Sequence, residues 1–193
     1  MQNPDSLEYL VSNIDILNKL KSFSIKIIIY ENLQNITNIN ELSPTKYCAI
    51  CILIKTTINS GHWTCLVRQD KTLYYFDSYG VKVDGELKNI APHLRYNLNE
   101  KTKYLSKLLR KSNFILKQNE YQFQDYSDQI STCGKWCTAF IDFILSNYNN
   151  NIPKFEKEIQ SLCDLYENKF GKTNHIQDHV VNTIYNNIME NSI

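Results

Sequence analysis

The sequence predicts an α+β protein, in which strands occupy most of the first half of the chain and amphipathic helices the second. Residues 46–55 form a nearly continuous apolar run, which is typical of a strand buried on both faces. Residues 62–68 and 72–78 are rich in strand-forming side chains and flank a tight connection, which predicts a hairpin. Residues 134–148 have apolar side chains at a spacing of three and four, which predicts a helix with one buried face.

The other elements are predicted from apolar spacing and from residues that start or stop helices. We expect further strands at 25–30 and 113–116, and further helices at 7–20, within 84–112, at 152–170 and at 174–189. The helix at 7–20 is expected to break near Ser12 and Asn13. We expect its buried face to carry Leu7, Leu10, Val11, Ile14, Leu17 and Leu20.

Length and composition limit the class of protein. The chain has 193 residues, which is enough for one compact domain over residues 1–193, and its net charge is +1. A charge so close to zero gives no global field that would attract nucleic acid or a membrane surface. We find no signal peptide and no membrane span, so the six cysteines are expected to be reduced thiols in an intracellular protein.

Two patterns resemble metal sites but are weak. Cys48 and Cys51 lie three residues apart on a predicted strand, so their side chains should point to opposite faces and should not converge on one ion. His175 and His179 lie one turn apart on the last predicted helix, but no third ligand is evident. We interpret them as surface or packing histidines, and we expect neither a metal nor a cofactor.

The strongest functional signal is Cys133, at the predicted start of the helix at 134–148. Ser131 or Thr132 can cap this helix. The free N–H groups and the dipole at a helix N-terminus stabilise negative charge, and therefore favour a thiolate. Because Gly134 has no side chain, a substrate carbonyl could approach the sulfur closely.

The predicted hairpin supplies a base and an acid for that thiol. If residues 70–71 form the loop, Asp77 pairs with Thr64, which shares a face with His62. His62 and Asp77 then become diagonal neighbours. A loop at residues 69–70 would place them directly opposite each other. Either loop brings the imidazole and the carboxylate onto one face.

Together these side chains suit nucleophilic catalysis of acyl transfer. His62 would take the proton from Cys133 and later return it to the leaving amine, while Asp77 would hold the imidazole tautomer. A glutamine amide could donate to the oxyanion, with the Cys133 backbone N–H as the second donor. We prefer Gln124 to Gln129, because only the longer spacer leaves room for a loop that folds the side chain beside the sulfur.

Three motifs, at residues 61–63, 75–80 and 124–134, resemble those of the adenovirus-protease-like cysteine peptidases. That group shares a core with the SUMO proteases and includes maturation proteases of large DNA viruses, virophages and polinton-like elements. The virophage and polinton type is the most similar. The resemblance covers roughly residues 46–148. The adenovirus enzyme differs in having Glu where Asp77 stands, and in placing its glutamine seven residues before the cysteine, where this chain has Tyr126.

The resemblance implies a mixed sheet that carries His62 and Asp77 and faces a central helix with Cys133 at its N-terminus. It also implies a cysteine endopeptidase that cleaves viral capsid or core precursors during virion maturation, often after a Gly-containing sequence. Such an enzyme would act in the host cytoplasm or viral factory and be packaged in the virion. Trp63 and Gly134 are the expected substrate-binding residues.

The sequence leaves two other functions open. An isopeptidase that removes a ubiquitin-like modifier would need a large exposed surface for a folded modifier. An inactive scaffold with the same fold would not need the set of Cys133, His62 and Asp77. The adenovirus enzyme uses a peptide and DNA as activators, but the near-neutral charge here gives no support for strong DNA dependence. We interpret the basic segment 101–111 as a solvated helix face.

Overall fold

Five strands form one mixed sheet in the computed structural model, which describes residues 6–57, 60–127 and 129–190. The strands are β1 (Ile25–Ile29), β2 (Tyr47–Lys55), β3 (Gly61–Gln69), β4 (Thr72–Asp77) and β5 (Ile115–Gln118), in that spatial order. β2, β3 and β4 are antiparallel to one another, whereas β1 runs parallel to β2 and β5 parallel to β4. The predicted strand at 113–116 is thus displaced by two residues.

Six α-helices accompany the sheet within the described ranges. They are α1 (Asn13–Lys19), α2 (Pro92–Asn97), α3 (Tyr104–Arg110), α4 (Cys133–Ser146), α5 (Ile152–Phe170) and α6 (Ile176–Glu190). Helix α4 packs against β3, and α5 and α6 pack outside it. The α+β class and the central helix with Cys133 at its N-terminus are therefore confirmed. No helix in the described part of the chain is long and apolar enough to span a membrane.

Apolar side chains cover both faces of the sheet, as the nearly continuous hydrophobic strands require. The face toward α4 carries Ala49, Cys51, Cys65, Val67, Tyr74 and Phe76. The opposite face carries Ile50, Ile52, Ile54, Leu66, Leu73 and Tyr75. Cys51 faces α4, while the Cys48 sulfur lies 3.2 Å from the Ser43 hydroxyl, outside that cluster. The two side chains therefore point in different directions, as the strand spacing predicted.

The β3–β4 hairpin has the register that a loop at residues 70–71 predicts. Thr64 pairs with Asp77, and Leu66 pairs with Tyr75. Asp70 takes a positive φ of 52°, a conformation that Asp tolerates in tight turns. The alternative loop at residues 69–70 is wrong. His62 lies two residues from Thr64 on the same face, which places it diagonally from Asp77.

The predicted helix at 7–20 is wrong over its first half. Helix α1 begins at Asn13, because Ser12 and Asp15 form a capping box in which each side chain accepts a backbone N–H. The predicted apolar face is correct at Val11 and Leu20, which are buried. It is wrong at Leu10, Ile14 and Leu17, which are 55%, 68% and 44% exposed. The break near Ser12 is confirmed, and it frees the preceding residues to take a different path.

Residues 6–12 lie along the N-terminal end of α4. The Leu7 carbonyl accepts from the Ser131 backbone N–H at 2.7 Å, and the Val11 carbonyl accepts from Trp63 Nε1 at 3.1 Å. These contacts place Val11 in the buried core. This segment therefore lines one side of the space next to Cys133 and does not form the first half of the predicted helix.

The basic segment 101–111 spans α3 and the residues on either side of it. Its cationic side chains, at Lys101, Lys103, Lys107, Arg110 and Lys111, are exposed, while Leu105 and Leu108 on the same segment are buried. This pattern is that of a solvated helix face, as the sequence predicted.

Candidate active site

Cys133 is the first residue of α4 and is 7% exposed at the floor of a cleft. The residue before it, Thr132, has helix-like backbone angles and its side chain makes no capping hydrogen bond. Its hydroxyl instead donates to Asp178 Oδ1. The Ser131 N–H donates to the Leu7 carbonyl. The expectation that a Ser131 or Thr132 side chain caps α4 is therefore wrong. The Thr132 hydroxyl is hydrogen-bonded to Asp178, on a helix far along the chain, and not to the first N–H groups of α4.

His62 and Asp77 form a buried pair on the sheet. His62 Nε2 lies 3.1 Å from Asp77 Oδ1, and the two residues are 5% and 0% exposed. Because this contact uses Nε2, Nδ1 remains available for the Cys133 sulfur, which interacts with the same imidazole. The carboxylate thus holds the imidazole, and the Cys133 sulfur is among the groups that act on it electrostatically.

The surroundings of His62 favour the imidazolium. Burial by itself would lower the pKa of His62, but the charge and hydrogen bond of Asp77, together with the Cys133 sulfur, raise that pKa well above the ordinary histidine value. An imidazolium beside Cys133 stabilises a thiolate. The site therefore supplies the positively charged partner that a thiolate nucleophile requires.

Asp77 is held in place by Asn119 and by the Tyr79 N–H, neither of which was predicted from the sequence. Asn119 Oδ1 accepts from the Asp77 N–H at 2.9 Å, and Asn119 Nδ2 donates to the Asp77 carbonyl at 2.7 Å. The Tyr79 N–H donates to Asp77 Oδ1 at 2.8 Å. Asn119 follows β5 directly, so only the pairing of β5 with β4 brings it to Asp77. Nothing local in the sequence signals that pairing.

Gln124 is 1% exposed and its side-chain amide is fully engaged. Its Oε1 accepts from the Ser78 hydroxyl at 2.9 Å, and its Nε2 donates to Tyr79 Oη at 3.1 Å and to the Ile130 carbonyl at 3.3 Å. The amide thus contacts the Ile130 carbonyl, three residues before Cys133 in the chain. The other candidate, Gln129, is exposed.

Tyr79 joins the two sides of the site. Its ring stacks on His62 with a centroid distance of 4.8 Å and an interplanar angle of 19°. Its other face stacks on Tyr126 at 4.3 Å, and its hydroxyl accepts from Gln124. The sequence motif around Asp77 contains Tyr79, but its contact with the imidazole depends on the turn that follows β4. At Gly80, where φ is +70°, a Cβ would lie 2.7 Å from the Glu120 carbonyl oxygen, so this turn requires glycine.

A cleft of about 450 Å³ opens over Cys133. Its lining is mainly apolar and includes Leu10, Val11, Ile14, Leu53, Trp63 and Ser131. Trp63, an expected substrate-binding residue, is part of this lining. Gly134 is not part of this lining. A Cβ on Gly134 would lie 2.7 Å from Val11 Cβ and 3.2 Å from Trp63 Cδ1. The packing of the N-terminal segment against α4 therefore explains why this position is a glycine.

The other core cysteines lie where a thiolate is disfavoured. Burial raises the pKa of Cys51, Cys65 and Cys137, and it raises the pKa of Cys163 to about 11. Cys137 is 0% exposed, and its thiol donates to the Trp63 carbonyl at 3.4 Å. These four residues behave as small apolar side chains.

Asp125, His175 and Asp178 form a cluster in which one ligand-type atom from each lies within 4.8 Å of the others. His175 precedes α6 with a φ of +58°, and its Nδ1 lies 2.5 Å from Asp125 Oδ2. No local sequence pattern predicts the contact between His175 and Asp125. His179 packs on the Tyr166 ring, as expected of a packing histidine. Both oxygens of Asp178 already accept hydrogen bonds. Hydrogen bonds between protein groups therefore account for the polar atoms of this cluster.

Asp77→Asn is expected to move the alkaline limb of kcat/KM to lower pH. The raised pKa keeps His62 protonated through neutral pH, and activity is lost as pH rises through that value. Removing the Asp77 charge lowers the pKa of His62, so that the loss begins earlier. The contribution of the pair to folding has the same sign: it is present at low pH and lost as pH rises through the raised pKa.

The pH profile of kcat/KM, together with the pH profile of Cys133 alkylation by iodoacetamide, measures this shift. Asp164→Asn, an exposed change of the same chemistry on α5, is the control and should leave both profiles unchanged. An Asp77→Asn protein with a wild-type profile and full rate would show that Asp77 is only a turn residue.

Comparison with known proteins gives one close relative. No family model matches the chain. The uncharacterized protein V9 of Sputnik virophage is 36% identical over 159 residues, which cover 81% of this chain and 87% of that protein.

Several solved structures are similar at low identity. The central domain of an uncharacterized Legionella pneumophila protein aligns with a TM-score of 0.44 and 13% identity, over 94% of this chain and 98% of that domain. The SUMO protease Ulp1 aligns with a TM-score of 0.40 and 13% identity, over 96% of this chain and 80% of that one. ChlaDub1 from Chlamydia trachomatis aligns with a TM-score of 0.38 and 15% identity, over 95% and 81%.

The fold and the site define an α+β protein with a cysteine at a helix N-terminus beside a buried histidine–aspartate pair. The chain belongs to the family of the Sputnik virophage protein V9.

Proposed function

We propose that the chain is a cysteine endopeptidase that processes viral capsid or core precursors during virion maturation. The observation that carries this proposal is the buried His62–Asp77 hydrogen bond, together with the electrostatic interaction between His62 and Cys133 at the start of α4. Membership of a virophage family supports a viral substrate. The apolar cleft over Cys133 supports an extended peptide as the form in which the substrate binds.

In the proposed mechanism, the Cys133 thiolate attacks the scissile carbonyl carbon. Negative charge builds on the carbonyl oxygen, and the Cys133 N–H and the Gln124 amide donate to it. The His62 imidazolium then gives its proton to the leaving amine, which leaves an acyl-enzyme thioester. Neutral His62 next takes a proton from water as the water oxygen attacks the thioester carbon. The C–S bond then breaks, the acyl part leaves as a carboxylic acid, and the thiolate–imidazolium pair is restored.

The direct test is labelling by a Gly-containing peptide vinyl sulfone, with the modified residue located by mass spectrometry. The proposal expects Cys133 to be labelled, and expects the protein to cleave capsid precursor made by the same virus. Release of a ubiquitin-like modifier from a conjugate, with the precursor left intact, would favour the isopeptidase. A folded protein that is neither labelled nor active would favour the scaffold.

Gln124→Ala is expected to lower kcat by roughly 10²–10³-fold, the usual loss for one oxyanion donor. In the free site Nε2 donates to Tyr79 and to Ile130, and the longer bond, 3.3 Å to the Ile130 carbonyl, is the one that the oxyanion would replace. KM should change little, because the interaction strengthens in the transition state. Steady-state kinetics on a peptide substrate measure both constants.

Gln129→Ala is the matched control, since it removes the same side chain from an exposed position five residues away. It should stay within a few-fold of wild type. The reverse ranking of the two variants would place the oxyanion hole on Gln129.

A further inference from the structure

We propose that Asp178, on the last helix, is a positioning residue that sets the distance between the two oxyanion donors, the Cys133 N–H and the Gln124 amide. This inference rests on the proposed peptidase function. Asp178 contacts neither donor itself. It acts through the residue that precedes Cys133 and the residue that follows Gln124.

The Asp178 carboxylate is 0% exposed in the first turn of α6. Its Oδ1 accepts from the Thr132 hydroxyl and, at 3.3 Å, from Trp136 Nε1. Its Oδ2 accepts from the Asp125 backbone N–H at 3.2 Å. Burial raises the pKa of Asp178, and these hydrogen bonds oppose that rise. The three donors are neutral, so a buried polar group is satisfied here by hydrogen bonds rather than by a cation.

These donors come from the two segments whose spacing the chemistry needs. Thr132 directly precedes Cys133, so its side-chain bond fixes where α4 begins and where the Cys133 N–H points. Asp125 directly follows Gln124, so its backbone bond fixes the point from which the amide extends. A carboxylate is rigid and planar. Its two oxygens therefore hold the two segments at one separation.

A second contact joins the same elements at the surface. His175, the residue before α6, has its Nδ1 2.5 Å from Asp125 Oδ2 in the Gln124 segment, and the two side chains are 41% and 51% exposed. Exposed pairs of this kind contribute little, because water screens them. The buried carboxylate of Asp178 is thus the main connection between α6 and the two donor segments. His175 contacts one of the same segments and can serve as a control.

The expected catalytic consequence is specific to the oxyanion. Misplacing a catalytic group by about 1 Å can cost on the order of 10²-fold in rate. Alkylation of Cys133 by iodoacetamide builds no oxyanion, so it depends on the thiolate but not on the spacing of the two donors. A peptide aldehyde, by contrast, forms a tetrahedral adduct with the sulfur and requires the same donors as the reaction.

Asp178→Asn is the first test. The asparagine amide keeps one oxygen that can accept a hydrogen bond, but in place of the other oxygen it has an N–H₂ group that faces donors. One of the two segments therefore loses its hydrogen bond to residue 178. We expect kcat and peptide-aldehyde affinity to fall together by roughly 10–100-fold. KM and the alkylation rate of Cys133 should stay within about threefold. His175→Ala should leave all four quantities close to wild type.

A second pair of variants keeps the test sharp if Asp178→Asn does not fold. Thr132→Val removes the hydroxyl and keeps the shape, whereas Thr132→Ser keeps the hydroxyl. We expect Val to reproduce the loss of kcat and aldehyde affinity, and Ser to restore most of it. If Asp178→Asn folds, adding Thr132→Val to it should cost less than the sum of the two single changes, because both break one contact.

Two results would overturn the inference alone: a wild-type enzyme that is active while folded Asp178→Asn and Thr132→Val keep full kcat, or variants that lose alkylation as strongly as cleavage. The second result would mean that the whole site had collapsed. A wild-type protein that neither cleaves peptide nor is labelled at Cys133 would instead overturn the proposed function, and this inference with it.

Discussion

Cys133→Ala is expected to abolish cleavage of a capsid precursor and all labelling by a peptide vinyl sulfone. Cys133 combines a helix N-terminus, an imidazolium partner and a place in the cleft. No other cysteine among the described residues interacts with His62 in this way while also lining that cleft. The reaction without the sulfur has no nucleophile, so the loss should be complete within the limits of the assay. Product analysis by mass spectrometry measures both effects.

Cys137→Ala is the control, because it removes a thiol one turn further along the same helix. That thiol is 0% exposed, and burial raises the pKa of Cys137. Most of the activity should remain, with a stability loss of about 1 kcal/mol, typical of a single substitution. Equal loss of activity from the two variants would contradict the assignment of Cys133 as nucleophile.

His62→Ala is expected to remove activity about as completely as loss of the sulfur. The members of a catalytic unit are not additive, so removing one costs nearly as much as removing all, and we expect a fall in kcat of at least roughly 10⁴-fold. The variant also leaves Asp77 buried without its partner, since the residue is 0% exposed. The thiolate fraction of Cys133, followed by its alkylation rate across pH, should fall in parallel.

His93→Ala serves as the control for this variant, because His93 is an exposed histidine on α2. It should match wild type in rate and in stability. A His62→Ala protein that retained more than a few per cent of the wild-type rate would show that another group activates the thiol.

The hairpin shows how far local sequence patterns reach. The side-chain alternation of β3 and β4 places His62 and Asp77 on one face with either of the two short loops that the sequence allows, and the structure has the loop that pairs Thr64 with Asp77. The start of α4 at Cys133 follows equally well from its apolar spacing. Both features depend on contacts between residues close in the chain, which is why periodicity alone predicts them.

The supporting residues could not be predicted in this way. Asn119 reaches Asp77 through the parallel pairing of β4 and β5, and Asp178 reaches Thr132 across 46 residues. Such contacts are set by the packing of whole elements, so no local pattern signals them. The misjudged helix at 7–20 has a related cause. Tertiary bonds to Trp63 and Ser131 draw residues 7–11 over α4, and these outweigh an apolar spacing that favours a helix.

The packing of α6 on the start of α4 has a consequence for when the protein gains its activity. The His62–Asp77 hairpin is local in sequence and can form early, but Thr132 and Asp125 find their shared partner only on the final helix. Synthesis releases the chain from its N-terminus onward. A nascent chain that still lacks residues 176–190 would therefore carry its nucleophile and base without a finished oxyanion hole. Under the proposed function, precursors translated nearby would be spared until α6 had been synthesised.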